Sequence, residues 1–242
     1  MPENMSLPAE QVRAALTDKI NPAKAAFLPK YFKAIPGGYG EGDSFMGISV
    51  PDQRVIAQKF YKEISLEELS ELLKDRFHEL RLTALLMLVY KYEKLKEDSD
   101  RKKYVDFYLA HLDGINNWDL IDSSCPQILG HFYFIRGKSL FYELADSGNL
   151  WKQRIAMLSS LYWIKKGEFL DPLALAEKLL HHPHDLMQKA VGWMLREIGN
   201  QDFEVEYDFL RKHYQSMPRT ALRYAIEKFP EEIRQDFLKG RI

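Results

Sequence analysis

Arg81-Leu82-Thr83-Ala84-Leu85, Gln153-Arg154-Ile155-Ala156-Met157, Gln188-Lys189-Ala190-Val191-Gly192 and Arg219-Thr220-Ala221-Leu222-Arg223 are one phrase stated four times. Each opens on a long polar residue, sets an alanine two or three places later and continues into large apolar side chains. The first residues stand 72, 35 and 31 positions apart, so the first interval has room for one more copy near residue 117. Asn117-Trp118-Asp119-Leu120-Ile121-Asp122 begins there. A period of 31 to 36 residues carrying two amphipathic helices is the unit of an α-solenoid of the HEAT class, somewhat shorter than its usual repeat. Such a unit uses its small residue where helices approach closely. The second helix of each pair then lies beside the second helix of the next.

The flanking sequence agrees. Asn21-Pro22 reads as an N-cap with proline at the first helical position, leading a helix over Ala23 to Ile35. Pro51 opens another segment, and Ser65-Leu66-Glu67-Glu68 is a capping-box pattern opening a third. Similar starts occur at Asp171-Pro172, Met217-Pro218 and Phe229-Pro230. Strand signals are almost absent, so the chain reads as all-α. Gly37-Gly38-Tyr39-Gly40-Glu41-Gly42 is the one glycine-rich loop long enough to be mobile. It divides a single domain, 1–242, into an N-terminal helical arm, 1–36, and a repeat array, 45–242.

Composition narrows the function classes. With 29% charged and 46% hydrophobic residues the chain is an ordinary globular one. A net charge of -1 excludes a surface that is everywhere a polyanion-binding field, and any nucleic-acid site must be a local patch. The single cysteine, Cys125, forms no intrachain disulfide. No basic and apolar leader opens the chain, and no apolar run approaches the ~20 residues of a membrane span. These features predict a cytoplasmic protein without membrane contact.

Candidate site residues come from the recovered repeat. Trp118 and Asp122, four residues apart, project from one helical face. A tryptophan in a helical protein is most often core and an aspartate near a helix start most often a cap; Asp122, Ser123 or Ser124 could cap a helix whose first turn holds Pro126. Repeat alignment adds neighbours: Trp118 and Arg154 share one offset in their phrases, Asp122 and Trp193 another. Two stretches, 147–167 and 209–226, contain no acidic residue while carrying Lys152, Arg154, Lys165 and Lys166, and Arg211, Lys212, Arg219 and Arg223. Such stretches are commonly solvated helix faces, but on a concave surface beside tryptophans they suit phosphates. His181-His182-Pro183-His184 lacks a partner at metal-ligand spacing and reads as a turn between helices. Cys125 has no support as a nucleophile, and neither a Walker loop nor a dinucleotide fingerprint is present.

The phrases Asn117-Trp118-Asp119-Leu120-Ile121-Asp122 and Gln188 to Glu197, in order with Leu28-Pro29-Lys30-Tyr31-Phe32-Lys33, Phe45 to Pro51 and Trp151-Lys152-Gln153-Arg154, resemble the AlkD-type DNA alkylation repair family of HEAT-like-repeat DNA glycosylases. The resemblance runs from about Asn21 to Phe229. It implies a right-handed α-solenoid whose concave face binds duplex DNA, and a monomer needing no metal or organic cofactor. It further implies excision of positively charged N3- and N7-alkylated purines by hydrolysis of the N-glycosidic bond, with the lesion still stacked against a shallow aromatic cleft. By the same resemblance Asp122 is the catalytic carboxylate, Trp118 and Trp193 pack on the damaged nucleotide's sugar, and Tyr31 flanks the site. Arg154 and Arg196 would contact DNA, joined by Lys152, Lys189 and Arg223. Asn117 stands where a relative carries a second tryptophan. A different class, a non-catalytic HEAT-repeat scaffold binding DNA structures or a protein partner, is the competing expectation.

Overall fold

Short-range signals set most helix starts. A computed structural model of the chain describes residues 7–242, so the first six residues of the expected arm lie outside the described residues. Asn21 caps α2 (Pro22–Tyr31) by accepting the Lys24 amide, and Ser49 caps α3 (Val50–Phe60) through the Asp52 amide. Ser65 and Glu68 close a complete capping box on α4 (Leu66–Leu73). The Glu68 carboxylate also accepts the Ala9 amide at 3.0 Å, tying down α1 (Pro8–Thr17). Among the described residues there is no strand, only an isolated bridge between Ser44 and Phe77.

The chain forms two compact units, divided between Ser124 and Cys125. In the first, α5 (His78–Lys94) is the spine. Its near-continuous apolar sequence buries side chains on every side, which a helix does only at the centre of a bundle. α3 and α4 pack against it, followed by α6 (Asp98–Ala110) and α7 (Trp118–Asp122).

The second unit opens with a π-type turn, Pro126–Gly130, then α8 (His131–Tyr133), α9 (Ser139–Asp146) and α10 (Leu150–Ile164). α11 (Leu170–Leu179), α12 (Asp185–Gln201), α13 (Phe203–His213), α14 (Arg219–Ala225) and α15 (Glu231–Lys239) complete it. Its most extensive packing joins α10 to α12 and α12 to α14, the helices that carry the repeated phrase. Two close approaches here fall at glycines rather than at the repeated alanines. A β-carbon on Gly192 would lie 2.4 Å from the Ala221 carbonyl oxygen, and one on Gly130 the same distance from that of Ser159. The architecture is thus an all-α helical repeat.

Several boundaries differ from expectation. α2 ends at Tyr31 rather than Ile35, because Lys33 takes a left-handed φ of 51° that no helix continues through. α11 begins at Leu170, two residues before Pro172, whereas Pro218 and Pro230 sit one residue ahead of their helices as N-caps. The glycine-rich loop folds back tightly: a β-carbon on Gly38 would meet the Lys33 carbonyl oxygen at 1.9 Å, and one on Gly40 that of Phe32 at 2.5 Å. Gly38 and Gly40 serve close approach, and Gly37 and Gly42 take positive φ of 76° and 93°.

Candidate functional site

In the first unit, α7 is only five residues long and depends on its surroundings for its direction. Asn117, fully buried, caps it by accepting the Trp118 amide at 2.9 Å, which explains a small polar residue there. Trp118 is half-buried. Its indole stacks on Phe32 with centroids 5.5 Å apart and planes 19° apart, and meets the edge of Tyr31 at 6.1 Å. Tyr31, 51% exposed, lies with Phe27 on the outer side of α2. Asp122 closes the helix one turn after Trp118 and is partly exposed. Behind Trp118 the aromatic surface opens into a cavity of about 390 Å³. Leu28, Phe45, Ile48 and Leu82 line it, with Lys24 and Asp119 among its polar groups.

Beneath this cavity lies a charged cluster that the sequence did not reveal. His78, the first residue of α5, is buried, with Nε2 2.7 Å from Asp119 and Nδ1 3.1 Å from Asp43. Arg81 donates from Nη2 to Asp43 at 2.7 Å and to the Asn116 side chain at 3.2 Å. Burial opposes a charge on His78, but the hydrogen bond to Asp119, then that to Asp43 and the Asp119 charge, outweigh it and the Arg81 repulsion, raising the imidazole to about 9. Burial would raise Asp43; the His78 hydrogen bond and the Arg81 charge prevail and hold it below the usual carboxylate range. Next to His78, the buried Glu79 accepts the amides of Met46, Gly47 and Ile48 at 2.8 to 3.3 Å. That stretch carries α2, since the Asn21 amide donates to the Met46 carbonyl. The only available signal was charged residues heading a helix whose middle, Leu82 to Tyr90, is almost wholly apolar.

In the second unit, Trp193 is half-buried on α12 and donates from Nε1 to Glu197 at 2.9 Å. Arg196 pairs with Glu227, and Lys189 with Asp185 at 2.6 Å. Lys152 is partly exposed and Arg223 exposed. Arg154 differs from the rest: it is 4% exposed and donates to the Leu186 carbonyl at 2.7 Å, holding α10 to the first turn of α12. The histidine cluster is a turn, as expected, with His184 capping α12 through the Leu186 amide and His182 bonded to Gln153. Ser124 turns back to the Leu120 carbonyl and caps nothing ahead of it; Cys125 precedes Pro126 with no side-chain cap.

These features define an all-α helical-repeat protein whose first unit offers a tryptophan, a carboxylate and a supporting aromatic wall. The family described as DNA alkylation repair enzyme matches residues 12–229, and the chain belongs to that family. No curated protein matches it in sequence. Among solved structures it is similar to a predicted DNA alkylation repair enzyme from Enterococcus faecalis. The TM-score is 0.68 at 16% identity, with 88% of this chain and 98% of that one covered, a likeness of fold. No described helix is long and apolar enough to cross a membrane.

Proposed function

We propose that this DNA alkylation repair enzyme is a monofunctional glycosylase that removes N3- and N7-alkylated purines from duplex DNA by hydrolysis. The observation that carries the reading is Trp118, presented half-exposed on an aromatic base with the Asp122 carboxylate one turn away. An alkylated purine is already cationic, so it departs with the C1′–N electron pair and needs no protonation. The sugar left behind turns oxocarbenium-like, as in glycoside hydrolysis. Asp122 stabilises that charge and takes a proton from the water that adds to C1′, leaving an abasic site. The face of Trp118 adds attraction for the same cationic centre, on the order of 0.5 to 2 kcal/mol.

Lys152 and Arg223 are the cations most available to phosphates, while Lys189 and Arg196 would exchange a carboxylate partner for one. Arg154 is left out of that set, because its buried guanidinium already holds Leu186. The test is release of N7-methylguanine from methylated duplex by the native protein and by Asp122→Asn. A loss of at least about 100-fold in the variant is expected, in line with removing one such electrostatic group. Equal rates would remove Asp122 from the chemistry, and tight binding without release would favour the non-catalytic scaffold.

A further inference from the structure

Both ring nitrogens of His78 face carboxylate oxygens, Asp119 on one side and Asp43 on the other. A neutral imidazole has one N–H and one lone pair, so it would set that lone pair against an acceptor. The arrangement is satisfied by the imidazolium, which donates twice. With Arg81 on Asp43 the cluster holds two cations and two anions and is neutral as a whole. Phe32 and Phe45 close over the ring, with centroids 4.7 and 5.2 Å from it, and Phe32 also stacks on Trp118. One buried cation therefore reaches the Trp118 turn by two routes, through Asp119 in the chain and through Phe32 in space.

A buried ionic cluster is weak evidence for stability, because apolar side chains of similar volume often hold as well. Its directional bonds do supply geometry. Asp119 follows Trp118 directly, with Oδ2 on His78 and Oδ1 on the Leu120 amide, and it is 9% exposed. It is thus occupied as an anchor of the turn that carries Trp118 and Asp122. We propose that His78 is the positioning residue of this site: its imidazolium, gripped by Asp119 and Asp43, fixes the angle at which α7 presents Trp118 and Asp122. The inference rests on Trp118 and Asp122 being the working pair.

The groups facing His78 are Asp43 from the loop before α3, Asp119 from α7 and Arg81 from its own helix. Glu79 turns away to the 46–48 amides. Loss of the His78 proton would take the imidazole's donation away from one of the two carboxylates and loosen the turn. The base-release rate of the native protein under single-turnover conditions should fall above about pH 9. His78→Gln should release base about 10- to 100-fold more slowly, the scale of a small misplacement of reacting groups, and lack that alkaline limb. Its affinity for methylated duplex should stay within about threefold, and adding Asp119→Asn should cost little more, since the two act as one unit.

The experiment measures pH–rate profiles of the native protein, His78→Gln and Asp119→Asn, with spontaneous release subtracted. Alongside, the ¹⁹F line of 5-fluorotryptophan at position 118, assigned with Trp118→Phe, is followed through the same pH range. In Asp119→Asn the carboxamide oxygen still accepts from Nε2, so this milder variant moves the limb to lower pH and serves if His78→Gln fails to fold. A native rate and native profile in His78→Gln, or in its absence an unmoved limb in Asp119→Asn, would overturn the proposal. Should the native protein release no base, the glycosylase reading fails by itself. The Trp118 line then decides: movement in the native protein and none in His78→Gln upholds the positioning role, and a static line overturns it.

Discussion

At the scale of single residues, the proposed glycosylase reading gives the surface face of Trp118 more weight in chemistry than in stability. Trp118→Ala should slow base release by at least about tenfold while costing less stability than the 3 to 5 kcal/mol typical of a fully buried tryptophan; release assays and urea midpoints measure the two separately. Glu206 shows the reverse balance. It is 2% exposed with Oε1 unpartnered, and burial, against the attraction of Arg196, raises it to about 9. The folded state keeps a proton that the unfolded chain loses near 4.5, so this residue costs progressively more stability from that pH up to about 9. Glu206→Gln should therefore stabilise the protein at pH 8 and much less at pH 5, as read by thermal midpoints. Trp118 and Asp122 were legible because their spacing lies within one turn. The His78 partners were not, since Asp43 and Asp119 lie 35 and 41 residues away and only packing brings them to one ring.

At the scale of elements, the first turn of α5 organises the first unit: His78 holds α7, and Glu79 holds the stretch that carries α2. Glu79→Gln would set an NH₂ group among amide donors and leave buried N–H groups without an acceptor. A loss of about 2 to 4 kcal/mol in a denaturant titration is expected. α2 itself buries no residue. Its Lys24 and Lys30, with Lys33 just beyond, are exposed, and among the described residues none has an ion-pair partner. If the proposed DNA reading holds, replacing all three with glutamine should flatten the slope of log K against log salt by up to about 2.7, at 0.9 per phosphate contact. An unchanged slope would place α2 off the DNA. Caps and the repeated phrase made the long helices readable from the sequence. The exceptions have physical causes: Lys33 stops α2 through its backbone, and the glycine-rich loop is tightened by carbonyl contacts that composition does not encode.

At the scale of the whole molecule, each unit contains a buried group that weakens it on the alkaline side. His78 contributes fully below 6.5 and loses its contribution as pH rises through about 9, a difference of about 3 kcal/mol for the first unit. Glu206 acts in the same direction in the second. Asp43 and Glu68, held below their ordinary values, withdraw stability as pH falls through the carboxylate range. Thermal midpoints should therefore peak between the carboxylate range and about 6.5 and decline steadily toward pH 9; a flat profile over that interval would contradict both assignments. Cys125 offers a way to follow such losses. It is the chain's only thiol, wholly buried at the first position of the second unit. Because modification requires that segment to open, the rate of labelling at one sulfur is a clock for opening, with no engineered probe and no background from other cysteines.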